Sequence, residues 1–109
     1  TMKEVQVQEG AALLKRIKTS DHVILLDERG SAYTSISFAE HLNALEGRIN
    51  QLVFVIGGPY GFSEQVYQRA NEKLSLSRLT FSHQLVRILF MEQLYRAFTI
   101  LKGEPYHHA

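Results

Sequence analysis

The chain has 109 residues, 45% hydrophobic and 21% charged, with a formal net charge of +1, which fits one globular domain over 1–109 whose thin core a partner surface would help to bury. The near-neutral charge removes any bulk electrostatic case for nucleic acid, so an RNA contact has to come from a local basic patch. With no cysteine, disulfides and thiolate metal sites are excluded, and a reducing cytoplasm is the expected compartment.

No apolar run approaches the ~20 residues of a membrane span, and Thr1–Gln6 is polar, without an apolar signal region. Val7–Lys18 reads as a helix: Ala11, Leu14 and Ile17 carry the spacing of a buried stripe, and Lys15, Arg16 and Lys18 suit a helix C-terminus. Thr19-Ser20-Asp21 closes it. His22-Val23-Ile24-Leu25-Leu26 is a continuous apolar run of branched residues, expected as a strand buried on both faces. Asp27 to Ser31 then reads as a polar, solvated turn. Paired-carboxylate hydrolysis by Asp27 and Glu28 is not expected, because nothing else acidic is placed to join them.

Ser37, with Glu40 three residues on, fits a capping box for a helix that buries Phe38, Ala39, Leu42 and Leu45 and stops near Gly47. Leu52-Val53-Phe54-Val55-Ile56 is the strongest strand signal and ends abruptly at Gly57-Gly58-Pro59-Tyr60-Gly61. Ser63 caps a short helix to about Asn71. Leu74–Phe81 reads as another short strand leading into a polar loop. In the last helix, His83–Leu101, apolar residues run almost all the way round. A one-sided surface helix needs a stripe of only ~100°. This one therefore has two faces to bury, one on its own sheet and one on a second subunit or inside a monomer; the short chain favours the second subunit.

The order α-β-α-β-α-β-α predicts a parallel sheet with right-handed crossovers, and a ligand beyond the C-terminal ends of its strands. The Gly57–Gly61 loop falls at that place. By itself it is also compatible with an ordinary turn. It lacks the Lys-Ser/Thr of a phosphate-binding loop and does not match G-x-G-x-x-G, which disfavours a nucleoside triphosphate or a dinucleotide. Leu76–Phe81 would end a strand at the same edge, with the Ser77 and Thr80 hydroxyls for hydrogen bonds and Leu76 and Leu79 as apolar walls.

Four blocks in order resemble one family: Val53–Gly61, Leu74–Ser77 with Thr80–Arg87, Glu92–Ala97, and the ending Glu104-Pro105-Tyr106-His107. They resemble the RlmH family, bacterial SPOUT-class methyltransferases that modify N3 of a pseudouridine in large-subunit ribosomal RNA. The resemblance runs from about Glu9 to the end. It implies a SPOUT-type α/β knot, with a parallel sheet flanked by helices and a C-terminal trefoil knot that is an exception to unthreaded chains. It also implies S-adenosylmethionine as methyl donor, a homodimer with the last helix in the interface, a ribosomal RNA partner and no metal. By position, Leu26, Gly57, Leu76, Ser77, Arg78, Leu79, Thr80 and Phe81 would line the donor site. Family members begin with a further strand and helix that this sequence does not show.

Methyl transfer is a positioning task, and N3 of pseudouridine must lose a proton on the way. The candidates to assist are His83, Arg87, Tyr106 and His107. His83 and Arg87 lie one helical turn apart. His83 is alternatively a helix-start residue bonded to backbone, and Arg87 serves either an RNA phosphate or an ion pair. Arg96 follows Glu92 by one turn and is expected to pair with it. Tyr106, His107 and His108 are expected to form a mobile polar tail able to close over a substrate. The readings that compete with a pseudouridine methyltransferase are a non-catalytic RNA- or ribosome-binding SPOUT module and a SPOUT methyltransferase with a different RNA target.

Overall fold

Side-chain alternation along the strands decides the architecture. In the run Val23–Leu26, Val23 and Leu25 point to one face of the sheet and Ile24 and Leu26 to the other, and all are buried. A strand buried on both sides needs helices on both sides. The computed structural model, which describes residues 1–58 and 60–108, has that layering. Its elements are α1 (Met2–Arg16), β1 (Asp21–Ala32), α2 (Ser35–Leu45), β2 (Gln51–Ile56), α3 (Glu64–Arg69), β3 (Glu72–Ser75) and α4 (His83–Lys102). The strands form one parallel sheet in the order β2-β1-β3.

One core lies between the sheet and the pair α2 and α4. Ile24, Leu26, Phe54 and Leu74 meet Phe38, Ala39 and Leu42 of α2 and Phe90 and Ala97 of α4. Phe54 and Phe90 are in ring contact, with centroids 4.7 Å apart. The other core lies under α1 and α3, where Val23, Leu25 and Val55 meet Leu13, Leu14, Ile17 and Val66. Each such side chain contributes ~1.5–3 kcal/mol when fully buried, so the short chain draws on both faces of its sheet for stability.

The register of β1 on β2 is regular, from Asp21 opposite Gln51 to Leu26 opposite Ile56. Against β3 it breaks: Leu74 lies opposite Leu26 and again opposite Ser31. Asp27–Gly30 therefore bulge out of a strand that continues to Ala32, where a simple polar turn was expected. Gly30 makes the bulge possible. A Cβ at this position would lie 2.5 Å from the Lys73 carbonyl carbon and 2.7 Å from the Leu74 nitrogen, a separation that only a residue without a side chain tolerates.

Three boundaries differ from expectation. The capping residue of α2 is Thr34, not Ser37. The Thr34 hydroxyl accepts from the Ser37 N–H (3.0 Å), and Ser37 Oγ accepts in return from the Thr34 N–H (2.9 Å); serine at the third helical position closes the box in place of the usual Glu or Gln. The first helix begins at Met2, because Thr1 and Glu4 form a capping box of their own. The third strand starts at Glu72 and ends at Ser75, so Leu76–Phe81 is loop and not strand. The Ser75 hydroxyl donates to the Ser77 carbonyl (3.1 Å), and Ser77 Oγ accepts from the Leu79 N–H (3.0 Å). These local bonds turn the backbone away from the ladder.

At the N-terminal end of the strands, Glu72 ties β1, α2 and β3 together. Its carboxylate oxygens lie 2.5 Å from His22 Nε2 and 2.6 Å from His41 Nε2, and the Tyr33 ring stacks on His41 at 5.2 Å. Among the described residues, no helix is long and apolar enough to cross a membrane.

Candidate donor-binding cleft

Parallel strands bring their C-terminal ends, and the loops that follow, to one edge of the sheet. Here the bulge after Leu26, the glycine loop after Ile56 and the loop after Ser75 meet there and enclose a cleft of about 670 Å³. That lies within the ~300–1,000 Å³ range of small-molecule sites. Of the residues expected at a donor site, Leu26, Gly57, Leu76, Ser77, Leu79, Thr80 and Phe81 all line it, and Arg78 is not among the lining residues. His83 stands at the cleft, at the start of α4, beside its capping residue Ser82.

The glycine loop is braced from both sides. The Gly61 N–H donates to the Gly58 carbonyl (3.1 Å), and the Gln6 side-chain amide of α1 donates to the Tyr60 carbonyl. Pro59, part of the expected motif, lies outside the described residues. Gly57 has no unusual backbone angle. What it provides is room, because a Cβ on Gly57 would lie 3.1 Å from the Phe62 ring. Phe62 in turn meets Tyr67 edge-on at 5.7 Å.

Sequence reasoning missed the acidic side of the cleft. Asp27, Glu28, Arg29, Phe62 and Tyr67 all line it. Asp27 is not solvated: its side chain is only 7% exposed. Tyr67 Oη donates to Asp27 Oδ2 (2.5 Å), the Arg29 N–H donates to Oδ1 (2.9 Å), and Arg29 Nη2 donates to the Tyr67 hydroxyl (3.0 Å). Burial pushes the Asp27 carboxyl up, but the bonds from Tyr67 and the Arg29 N–H, with the guanidinium charge, prevail and hold it below its ordinary 3.8. Burial, then the bond to Asp27, pushes the Tyr67 phenol above its ordinary value. Glu28 is exposed and accepts a bond from Thr80 Oγ1 across the cleft (3.0 Å). The available signal was positional, since two acids follow a buried strand at its ligand-binding end.

A second cavity, of about 260 Å³, lies beyond the same loop. It shares Leu74, Leu76, Ser77 and Phe81 with the cleft and adds Tyr33, Phe38, Leu89 and Gln93.

The remaining candidates are elsewhere. Arg87, Tyr106 and His107 are not among the residues lining the cleft. The tail, expected as mobile, is folded back on α4. Arg96 Nη1 donates to His107 Nδ1 (3.0 Å), Tyr106 Oη donates to Glu92 (3.3 Å), and the Tyr95 and Tyr106 rings meet edge-on at 4.9 Å. Arg96 also pairs with Glu92 (3.1 Å), as its spacing predicted.

Residues 1–107 match the family described as "Predicted SPOUT methyltransferase". The chain is 58% identical over 102 residues to the ribosomal RNA large subunit methyltransferase H of Christiangramia forsetii, covering 93% of this chain and 65% of that protein. It is 52% identical over 109 residues to the protein of the same name from Bacteroides thetaiotaomicron, covering 99% of this chain and 69% of that one. With the Flavobacterium johnsoniae protein of that name the identity is 54%, over 93% of this chain and 65% of the relative. The chain thus spans about two thirds of the length of these curated relatives.

Proposed function

The chain belongs to the SPOUT methyltransferase family, and from that membership we propose that it binds S-adenosylmethionine in the cleft and methylates N3 of a pseudouridine in 23S ribosomal RNA. The observation that carries this reading is the convergence of Leu26, Gly57, Leu76, Ser77 and Leu79–Phe81 on one cleft from segments far apart in sequence. The cleft suits such a donor in kind: apolar walls from Leu26, Leu76 and Phe81 take an adenine ring, and the loop backbones offer donors and acceptors for its edge.

When bound, the donor supplies a methyl group already activated on a sulfonium, so the residues here need only hold and orient. Gly57 keeps the wall between the glycine loop and Phe62 thin. Ser77 and Thr80 hold the third loop in shape through their hydroxyls. His83 is the candidate placed to receive or guide the proton of the target base. Arg87 is the candidate for an RNA phosphate. The trefoil knot implied by the family resemblance belongs to this proposal, as do Arg78 as a donor-site residue and a cytoplasmic, ribosome-directed role.

The proposal includes a homodimer. Ile88, Met91, Tyr95 and Phe98 fall within an arc of about 80° on α4 at 3.6 residues per turn, and Ile88 and Met91 are 68% and 62% exposed. An apolar stripe of this kind calls for a partner surface, and a second copy laid against α4 would cover it.

Calorimetry with S-adenosylmethionine and S-adenosylhomocysteine tests donor binding, and methyl incorporation into ribosomes that lack the modification tests the reaction. Micromolar binding followed by incorporation is the expected result. A folded protein that binds neither ligand overturns the proposal, and binding without transfer to any ribosomal RNA reassigns the chain to a non-catalytic RNA-binding role.

A further inference from the structure

The charged groups around the cleft do not balance in the obvious way. Its ionisable lining comprises Asp27, Glu28, Arg29, Tyr67 and His83 among the described residues. Asp27 is spoken for: the Tyr67 hydroxyl, the Arg29 N–H and the Arg29 guanidinium surround it. Arg29 is in turn satisfied by Asp27 and Tyr67, and the second cation over the Tyr67 ring, Lys73, is held 5.7 Å from the ring centroid. That leaves Glu28 as the carboxylate without a cationic partner. What it has is a single bond from the Thr80 hydroxyl, which joins the β1 bulge to the third loop across the cleft. A neutral hydroxyl leaves a carboxylate's charge uncompensated and most of its acceptor capacity unused.

Building on the donor-binding reading above, we propose that Glu28 is a specificity-determining residue that recognises the positive charge of the methyl donor and thereby separates donor from spent product. In the transfer, the nucleophile's lone pair forms the new bond to the methyl carbon, and the carbon–sulfur pair stays on sulfur. The ligand's sulfur thus changes from cationic to neutral. A carboxylate facing the cleft attracts the first state and not the second, and the same carboxylate then returns to Thr80 when the product leaves. Asp27 does not serve this purpose, because its charge is already neutralised by Arg29 next to it.

The test is calorimetry of the wild-type protein and Glu28→Gln with three ligands. These are S-adenosylmethionine, neutral-sulfur S-adenosylhomocysteine, and sinefungin, which carries an amine in place of the sulfonium. Glu28→Gln should weaken S-adenosylmethionine and sinefungin about fivefold, the size of an exposed ion pair, and leave S-adenosylhomocysteine within about twofold. In the wild type, raising salt should erode the preference for the charged ligands, because ionic screening shortens the reach of an exposed carboxylate; in the variant it should not. Wild-type binding of all three ligands with equal weakening, or none, in Glu28→Gln overturns this inference and leaves the donor site standing. A wild-type protein that binds none of them overturns the donor site itself, and this inference with it.

Discussion

Gly57 and Phe62 share one wall of the cleft so closely that a Cβ on Gly57 would come within 3.1 Å of the Phe62 ring, with two further ring carbons at 3.3 and 3.4 Å. Phe62 can give by a few tenths of an ångström, but only by shifting against Tyr67. Gly57→Ala is therefore expected to fold normally and to weaken S-adenosylmethionine by about tenfold, or 1.4 kcal/mol. Gly57→Val should weaken it further. Replacing Phe62 with Leu alongside Gly57→Ala should recover part of the loss in the same titration. Unchanged affinity in both single variants would remove Gly57 from the site.

Gly30 meets main chain instead of a side chain, so its neighbour cannot yield. A methyl group there would press on the Lys73 carbonyl and the Leu74 nitrogen. Gly30→Ala should lose about 1–3 kcal/mol by overpacking, read as a lower urea midpoint at unchanged slope. The β1 bulge carries Asp27–Arg29, so the same variant should also disturb the cleft.

The Asp27 carboxyl titrates below its ordinary 3.8 in the folded chain. A carboxylate with a depressed folded value adds stability that is present above the unfolded value and lost as pH falls through the folded one. Tyr67→Phe removes the hydroxyl that contributes to this depression. Its deficit relative to wild type should be about 1 kcal/mol at neutral pH, the net size of a typical hydrogen bond. That deficit should shrink below pH 3.8, as Asp27 becomes protonated in both proteins. Urea titrations at pH 7 and pH 3 compare the two; a deficit that does not change with pH would show that Asp27 is not the group Tyr67 serves.

Glu72 accepts from two imidazoles at the far end of the sheet. A glutamine has one acceptor oxygen, so Glu72→Gln would set its NH₂ group against one of the histidines. A cost of about 1–3 kcal/mol is expected from the unmet partner. Donor affinity should stay as in wild type, since Glu72 is at the opposite end of the strands from the cleft.

The exposed face of α4 gives a prediction about assembly. Ile88→Glu places a charge at the most exposed residue of the apolar stripe, where pairing with a second copy would bury it unpaired. Sedimentation velocity should show a dimer for wild type and a monomer for the variant. A wild-type monomer at high protein concentration would count against the second copy.

Sequence alone determined the elements that rest on composition and period. The apolar runs Val23–Leu26 and Leu52–Ile56 read as strands from their length and branched residues, though only the first is buried throughout, and the two-sided pattern of α4 follows from its residues without any partner in view. The alternation of helix and strand then fixes a parallel sheet and puts the glycine loop at its ligand-binding edge. The family resemblance rested on short blocks in order, which are likewise local in sequence.

Tertiary structure decided what depends on distant neighbours. Ser37 and Thr34 are both good caps, and only the path of the chain out of β1 selects Thr34. Leu76–Phe81 has the composition of a strand, yet hydroxyl bonds from Ser75 and Ser77 to nearby backbone end β3 at Ser75. Asp27 looks like any solvated acid in the sequence. It is buried because Tyr67, 40 residues away, reaches it from α3. Local patterns record periodicity and propensity, whereas the burial of a charge and the space beside a glycine are properties of contacts that form only when the sheet and both helix layers are in place.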